Sequence, residues 1–439
     1  MALSLTEFLE QGLATSKEIQ AATRLSQAGV SRQLRRLGQR IVAVRSGRTP
    51  KYILTRNAFG SSDRLPLAMV DANGDAVLVA HIRPLVTGGF YVEPCAVVSA
   101  LLLGDRGDGL FDDLPYFLQD MGPQGFIGRQ IAKEIHARFP EFPSDPKWWT
   151  TDHIGRFLVS NGDDLPGNFK FGEQALLRVR HDPVTIDDAE YPLLAENAMK
   201  GQVPGSSAGG EQPKFTAFSA KRASHVIVKF SPPGDTEISR RWRDILITEH
   251  HATEVLRGQG LPAAKTRVLE AEGRLFLESQ RFDRSGEHGR MSMISLASID
   301  AEFVGSGSNW SRVMQALAQR KLIASEETQD AEFLWCFGKL IHNTDMHLGN
   351  LSLAMAGNVF KLLPAYDMCS MGFAPRSGGE VLPYAFMPQH PKRLVIDDKR
   401  YDSARLLAIE FWNSVSKDAS ISEEFKEFLS KGNPVEMME

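Results

Sequence analysis

Four positions far apart in the chain constrain its fold more than any compositional figure. Asp345 and Asn350 are separated by four residues in the run Ile341-His342-Asn343-Thr344-Asp345-Met346-His347-Leu348-Gly349-Asn350. Residues 351–355, 356–358 and 359–363 then read as strand, turn and strand, and deliver the chain to Pro364-Ala365-Tyr366-Asp367. More than a hundred residues upstream, Lys229 closes the apolar run Val226-Ile227-Val228 just after a Gly/Ser-rich stretch. A common purpose for these four residues would require separate compact parts of the chain to meet at one place. With 439 residues the chain is long enough for two or three such units, and 42% hydrophobic with 24% charged residues is a folded composition, not a disordered or coiled-coil one.

Each of these residues has an ordinary reading and a chemical one. The segment Pro204-Gly205-Ser206-Ser207-Ala208-Gly209-Gly210-Glu211-Gln212-Pro213-Lys214 lacks the Walker A spacing and is, alone, a turn. It is followed by strands expected over 215–219 and 225–230, which put flexible backbone amides beside a sheet, where they can cover phosphates. Lys229 then stands where protein kinases carry the lysine that holds nucleotide phosphates, and Glu249, on a helix expected over 241–257, is placed to orient it by an ion pair. Asp345 and Asn350 have the Asp-x4-Asn spacing of a kinase catalytic loop, with Asp345 accepting a hydroxyl proton while Asn350 and Asp367 bind Mg²⁺. The competing reading makes His342, Asp345 and His347 three ligands of a metallohydrolase, but gives Asn350, Asp367 and Lys229 no common purpose.

The net charge of −4 conceals a split. From Lys17 to Arg56 there are ten basic residues and one acid, Glu18, a charge of +9 that leaves 40 − 53 = −13 for the rest. Within the block a short helix is expected over 6–13. Thr15-Ser16 caps a second over 17–25, and Ser26 caps a third that runs to Leu37. A strand over 41–45, a turn over 46–51 and a returning strand over 52–55 complete what resembles a winged helix-turn-helix. Arg32, Gln33, Arg35 and Arg36 on the third helix and Arg48 and Lys51 at the wing are the candidate contacts to duplex DNA.

Residues 57–64, with Gly60-Ser61-Ser62-Asp63, read as a linker. Strands over 65–70 and 76–82, joined by Asp71-Ala72-Asn73-Gly74-Asp75, imply a small β subdomain, and helical spacing prevails over 95–167. Three distant cysteines, Cys95, Cys336 and Cys369, form no disulfide framework or zinc spacing and point to a reducing cytoplasm. The most apolar run, 95–104, is about half the ~20 residues a membrane helix needs, and no signal-like start is expected.

Taken together, the Ser207–Lys214 run, Glu249 upstream of Gly260-Leu261, Gln280-Arg281-Phe282-Asp283-Arg284, Asn343–Asn350 and Tyr366-Asp367 resemble the HipA-like serine/threonine kinase toxins of bacterial toxin–antitoxin systems, over roughly 65–430. Leu114-Pro115-Tyr116-Phe117-Leu118 is similar to that family's N-terminal subdomain. The resemblance implies an α+β, two-lobed protein-kinase-like fold preceded by the small winged helix-turn-helix. The expected divisions are 1–60, a family-specific subdomain over 65–200, a nucleotide-binding part over 201–284 and a helical lobe over 285–430.

It further implies that ATP and Mg²⁺ are bound and a protein substrate is phosphorylated. Asp345 would be the catalytic group. Lys229, Glu249, Gln280, Phe282, Asp283, Ser207, Gly209, Gly210 and His347 would surround the nucleotide, with adenine beside the backbone of Gln280 and Phe282, and Asn350 and Asp367 would hold metal. Inhibitory autophosphorylation would fall on Ser207, with Ser206 the alternative. The implied partners are duplex DNA, a HipB-like antitoxin and a second copy of the chain. The fused basic unit departs from the usual family arrangement, in which a separate antitoxin binds the DNA, and puts the need for one in doubt. A regulator whose kinase-like domain only senses nucleotide is the alternative.

Overall fold

The computed structural model describes residues 3–45, 47–95, 97–162, 164–201, 212–376, 378–388 and 398–438. Its N-terminal helices start at hydroxyl caps. Ser4, Thr15 and Ser26 accept the backbone N–H of Glu7, Glu18 and Gly29, and Glu7 and Glu18 return the bond to the cap N–H. The helices are Leu5–Leu9, Ser16–Thr23 and Gln27–Leu37. The first stops short of the expected Leu13, because Gly12 takes a φ of 146° and Ala14–Thr15 pair with Tyr52 and Lys51. Ile41–Val44 and Lys51–Leu54 form the expected antiparallel hairpin. Val30, Leu34 and Leu37 turn one stripe of the third helix onto Leu5, Leu9 and Ile19, which leaves Arg32, Arg35 and Arg36 exposed.

Residues 57–64 contain no helix or strand, yet they are not a free connection. Phe59 is buried with its ring 5.7 Å from that of Phe90 and 6.1 Å from that of Phe171. Gly155 makes room for it, since a Cβ there would fall 2.1 Å from the ring. Val42, Val44 and Ile53 of the hairpin share a core with Leu85, and buried Arg83 donates to the Gln39 carbonyl, to Asp63 and to Thr55. The expected connection is thus packed against its neighbours, and the apolar residues at 58 and 59 carry no periodicity from which that burial can be read.

The next unit is a five-stranded antiparallel sheet in the order Leu110–Phe111, Phe90–Pro94, Ala76–Pro84, Leu65–Val70, Phe169–Phe171, flanked by helices Gly125–Arg138 and Thr151–Asn161. A second five-stranded sheet follows in the order Thr266–Ala271, Arg274–Gln280, Ser224–Phe230, Lys214–Ser219, Thr185–Ile186. Its last strand and helix Tyr191–Met199, which packs Tyr191, Ala195 and Ala198 on Phe215, Val226 and Phe276, place the start of this lobe before the expected residue 201. Helix Glu237–Gly258 crosses the sheet. The remaining lobe is built from helices Leu296–Phe303, Trp310–Gln319, Ser325–Leu340, Asp398–Ser416 and Glu423–Ser430 around a small sheet of Ile294–Ser295, Ser352–Ala356 and Val359–Leu362. The fold is mixed α+β with two lobes. Among the described residues no helix is long and apolar enough to cross a membrane.

Candidate active site

Strand alternation decides which side chains reach the space between the lobes. Val226, Val228 and Phe230 enter the core on one face of their strand, so Lys229 points out of the other. The antiparallel register sets Lys214 opposite Lys229, and both are buried at the same cavity of about 470 Å³. Lys229 Nζ donates to both carboxylate oxygens of Glu249 at 2.6 Å and to Asp367 Oδ1 at 2.6 Å. Burial opposes the lysine charge, but Asp367 and Glu249 outweigh it and push its pKa above the usual lysine range. For Asp367, burial is likewise outweighed by Lys229 and Lys214, which hold its carboxyl below the usual range. Glu249 shares Lys229 with that second carboxylate, and burial pushes it up.

The opposite wall is made by two short loops tied together. Asn343 Oδ1 accepts the Asp345 N–H at 3.0 Å, while its Nδ2 donates to the Asp367 carbonyl at 3.1 Å. Asn350 Nδ2 donates to the Asp345 carbonyl at 2.7 Å, which turns the amide oxygen the other way. His347 Nδ1 accepts the Gly349 N–H at 3.0 Å, and its Nε2 lies 3.8 Å from Asp345 Oδ1. The Asp345 carboxylate itself is half exposed, open to an incoming group. Tyr366 secures the base of the loop by donating to the Gly349 carbonyl at 2.9 Å.

Gln280 and Phe282 line the same cavity, with the Phe282 ring 5.6 Å from that of Tyr366. Asp283 lines the cavity as well, with its carboxylate engaged by neighbouring groups. Its Oδ1 accepts from Arg281 at 2.9 Å and its Oδ2 from Arg281 at 2.8 Å, Arg284 at 2.6 Å and the Gly167 N–H at 3.0 Å. The carboxylate is consumed by an ion-pair knot that also includes Asp164. Ser206, Ser207, Gly209 and Gly210 lie outside the described residues. The metallohydrolase set is not assembled. His342 is packed between Phe386 and Phe373 at ring distances of 4.1 and 4.7 Å, and the described residues contain no cluster of three metal-ligating side chains.

Lys214 is the residue missed in the sequence, although the turn at 220–223 fixes the hairpin register and hence its position opposite Lys229. Its presence bears on which ligands fit. The buried ammonium groups of Lys214 and Lys229 share the cavity with the buried carboxylate of Glu249 and the partly exposed one of Asp367. Asp367 and Asn350 offer hard oxygen donors suited to Mg²⁺, which commonly takes one or two protein ligands and completes its shell with phosphate and water.

Residues 206–431 match the HipA-like C-terminal domain and residues 61–180 the middle domain of YjjJ-like toxins. The chain is 35% identical to Toxin YjjJ of Escherichia coli (strain K12) over 432 residues, which is 96% of this chain and 94% of that one. The chain belongs to the HipA-like toxin family. Its fold is also similar to HipA of Shewanella oneidensis MR-1, in a structure solved with HipB and operator DNA. The TM-score is 0.53 at 16% identity, over 82% of this chain and 91% of that one.

Proposed function

We propose that this HipA-like toxin is an ATP- and Mg²⁺-dependent kinase that phosphorylates a serine or threonine hydroxyl of a protein. The observation that carries the reading is the buried bridge from Glu249 through Lys229 to Asp367, which shares one cavity with Asn350, the residue whose side chain holds the Asp345 loop. When bound, ATP with Mg²⁺ would supply the transferable phosphoryl group and screen its charge. Lys229, held charged and oriented by Glu249, would bind phosphate oxygens, and Asp367 and Asn350 would hold the metal. The exposed carboxylate of Asp345 would take the hydroxyl proton, with its loop fixed by Asn343 and Asn350. Gln280 and Phe282 would receive the adenine. A domain that only sensed nucleotide would have no use for a proton acceptor at Asp345, which favours catalysis over that alternative.

The N-terminal unit would be a winged helix-turn-helix that binds duplex DNA through Arg32, Arg35, Arg36, Arg48 and Lys51, all exposed on one helix and its wing. Gln33 is half-buried beside the inward stripe and is less well placed to reach a base. HipB and operator DNA accompany the Shewanella protein; an antitoxin and an operator are the corresponding partners to test here, in a cytoplasmic setting. Ser207 or Ser206 would be the site of inhibitory autophosphorylation, which mass spectrometry of active protein would find. The direct test of the nucleotide reading is thermal stabilisation. ATP should raise Tm only with Mg²⁺ present, and Asp367→Asn should abolish that rise; stabilisation by ATP that is indifferent to Mg²⁺ would overturn it.

A further inference from the structure

The helix Ser325–Leu340 ends just before the loop that presents Asp345, and the joint is His342, a non-glycine residue with a φ of 63°. Such a backbone persists only where the surroundings impose it. Here the Phe386 ring lies 4.1 Å from the His342 ring at an interplanar angle of 30°, and Phe373 meets it at 4.7 Å. Gly372 lies beneath, where a Cβ would stand 2.2 Å from Nε2, and its N–H donates to the His342 carbonyl at 2.9 Å. Burial pushes the imidazole down to about 4, so the ring behaves as a packed neutral aromatic. The next residue, Asn343, is the one that bonds both the Asp345 N–H and the Asp367 carbonyl. Whatever fixes His342 therefore fixes both loops of the site.

Phe386 belongs to an extended strap, 379–388, that has no helix or strand of its own. Tyr384 and Phe386 face inward while Ala385 and Met387 are exposed. Tyr384 pins the strap, with its hydroxyl donating to Asp244 Oδ2 at 2.5 Å and its ring stacked on Phe425 at 4.4 Å and 7°. The Arg241 guanidinium lies 3.6 Å from the Tyr384 ring centre and donates to the carbonyls of Phe373 at 3.1 Å and Leu382 at 2.8 Å. Arg241 and Asp244 sit on helix Glu237–Gly258, the helix that also delivers Glu249 to Lys229. One helix thus anchors the lysine partner on one side and the strap under the Asp345 loop on the other.

We propose that Phe386 is a positioning residue for phosphoryl transfer: the strap, held by Arg241 and Asp244, clamps the His342 ring and thereby fixes Asp345 relative to the nucleotide cavity. The inference rests on the kinase reading above. The competing account is that Phe386 merely adds apolar contact, and both accounts expect some loss of stability on truncation, so stability alone does not separate them.

The test uses the full chain with Phe386→Ala, the milder Phe386→Leu and the ring-conserving Phe386→Tyr. We expect Phe386→Ala to lower kcat roughly 10- to 100-fold, as a small misplacement of a reacting group does, with KM for ATP within about twofold of wild type because Gln280, Phe282 and Lys229 are untouched. Phe386→Tyr should recover kcat. Amide hydrogen exchange over 342–347 should quicken in the alanine variant, or in the leucine variant if alanine does not fold, while helix 237–258 stays protected. A folded alanine or leucine variant with wild-type kcat, or with unchanged exchange over 342–347, overturns the clamp. Wild-type protein that transfers no phosphate overturns the kinase reading instead, and the exchange comparison still decides whether the clamp exists.

Discussion

Lys214 lies directly opposite Lys229 across an antiparallel pair of strands, and both face the cavity that Glu249 and Asp367 enter from other elements. Lys229 bridges the two carboxylates, at 2.6 Å to each. Lys229→Met should therefore do more than weaken nucleotide binding. It leaves the buried carboxylate of Glu249 and the partly exposed one of Asp367 without the ammonium that bridges them, at a cost of about 3 kcal/mol, read as a lower urea midpoint. The folded-state pKa of Lys229 is raised, so its contribution is complete below the unfolded lysine value of about 10.4 and is lost as pH rises beyond it towards the folded value. Wild-type stability should fall in that alkaline range, and the methionine variant should lack this component. Equal midpoints for the two proteins at pH 7 would contradict the bridge.

Asp283 is expected to behave as a structural residue. Asp283→Ala strips Arg281 and Arg284 of their shared carboxylate and should cost about 3–5 kcal/mol. Asp345→Asn, at an exposed carboxylate, should leave the unfolding free energy from urea titration within about 0.5 kcal/mol of wild type. If Asp283→Ala were as stable as wild type and only bound nucleotide less tightly, the sequence-based assignment of Asp283 to the cofactor would be supported instead.

What the sequence disclosed and what it hid follow from how local each signal is. That the Asp345–Asn350 loop and Asp367 lie together could be read because they follow one another along one short stretch of chain. The caps at Thr15 and Ser26 could be read because a cap acts within three residues. The fate of Asp283 could not, since it depends on Asp164 and Gly167 from another unit. Phe59 gave no sign of burial because its partners Phe90 and Phe171 come from two later strands. Thr185–Ile186 is too short for a periodic pattern, so its place at the edge of the second sheet was not legible.

The shared core around Phe59, Leu85 and Arg83 means that the basic unit should not come away cleanly at residue 60. Phe59→Ala should destabilise the protein by about 3–4 kcal/mol, and deleting residues 1–60 should expose Leu85 and Phe90 and lower Tm. Limited proteolysis checks this directly. Rapid release of an intact N-terminal fragment cut between 55 and 65 would show that the units are independent after all.

For DNA, Arg32, Arg35, Arg36, Arg48 and Lys51 all stand exposed, and each lost phosphate contact should reduce the slope of log affinity against log salt by roughly 0.9. Arg48→Ala should weaken binding to every duplex alike, whereas Arg32→Ala should also relax sequence preference. Mobility shifts across a salt series would check this. Affinity independent of salt, or no duplex binding by the full chain at low salt, would remove the DNA-binding proposal.

The most direct test of the kinase proposal is transfer of labelled phosphate from ATP to protein in the presence of Mg²⁺, comparing folded wild type with Asp345→Asn. The account predicts incorporation by the wild type and a loss of about 10³-fold or more in the variant, with ATP affinity and stability retained, because Asp345 acts on the hydroxyl proton and not on the nucleotide. Near wild-type turnover by Asp345→Asn would contradict it.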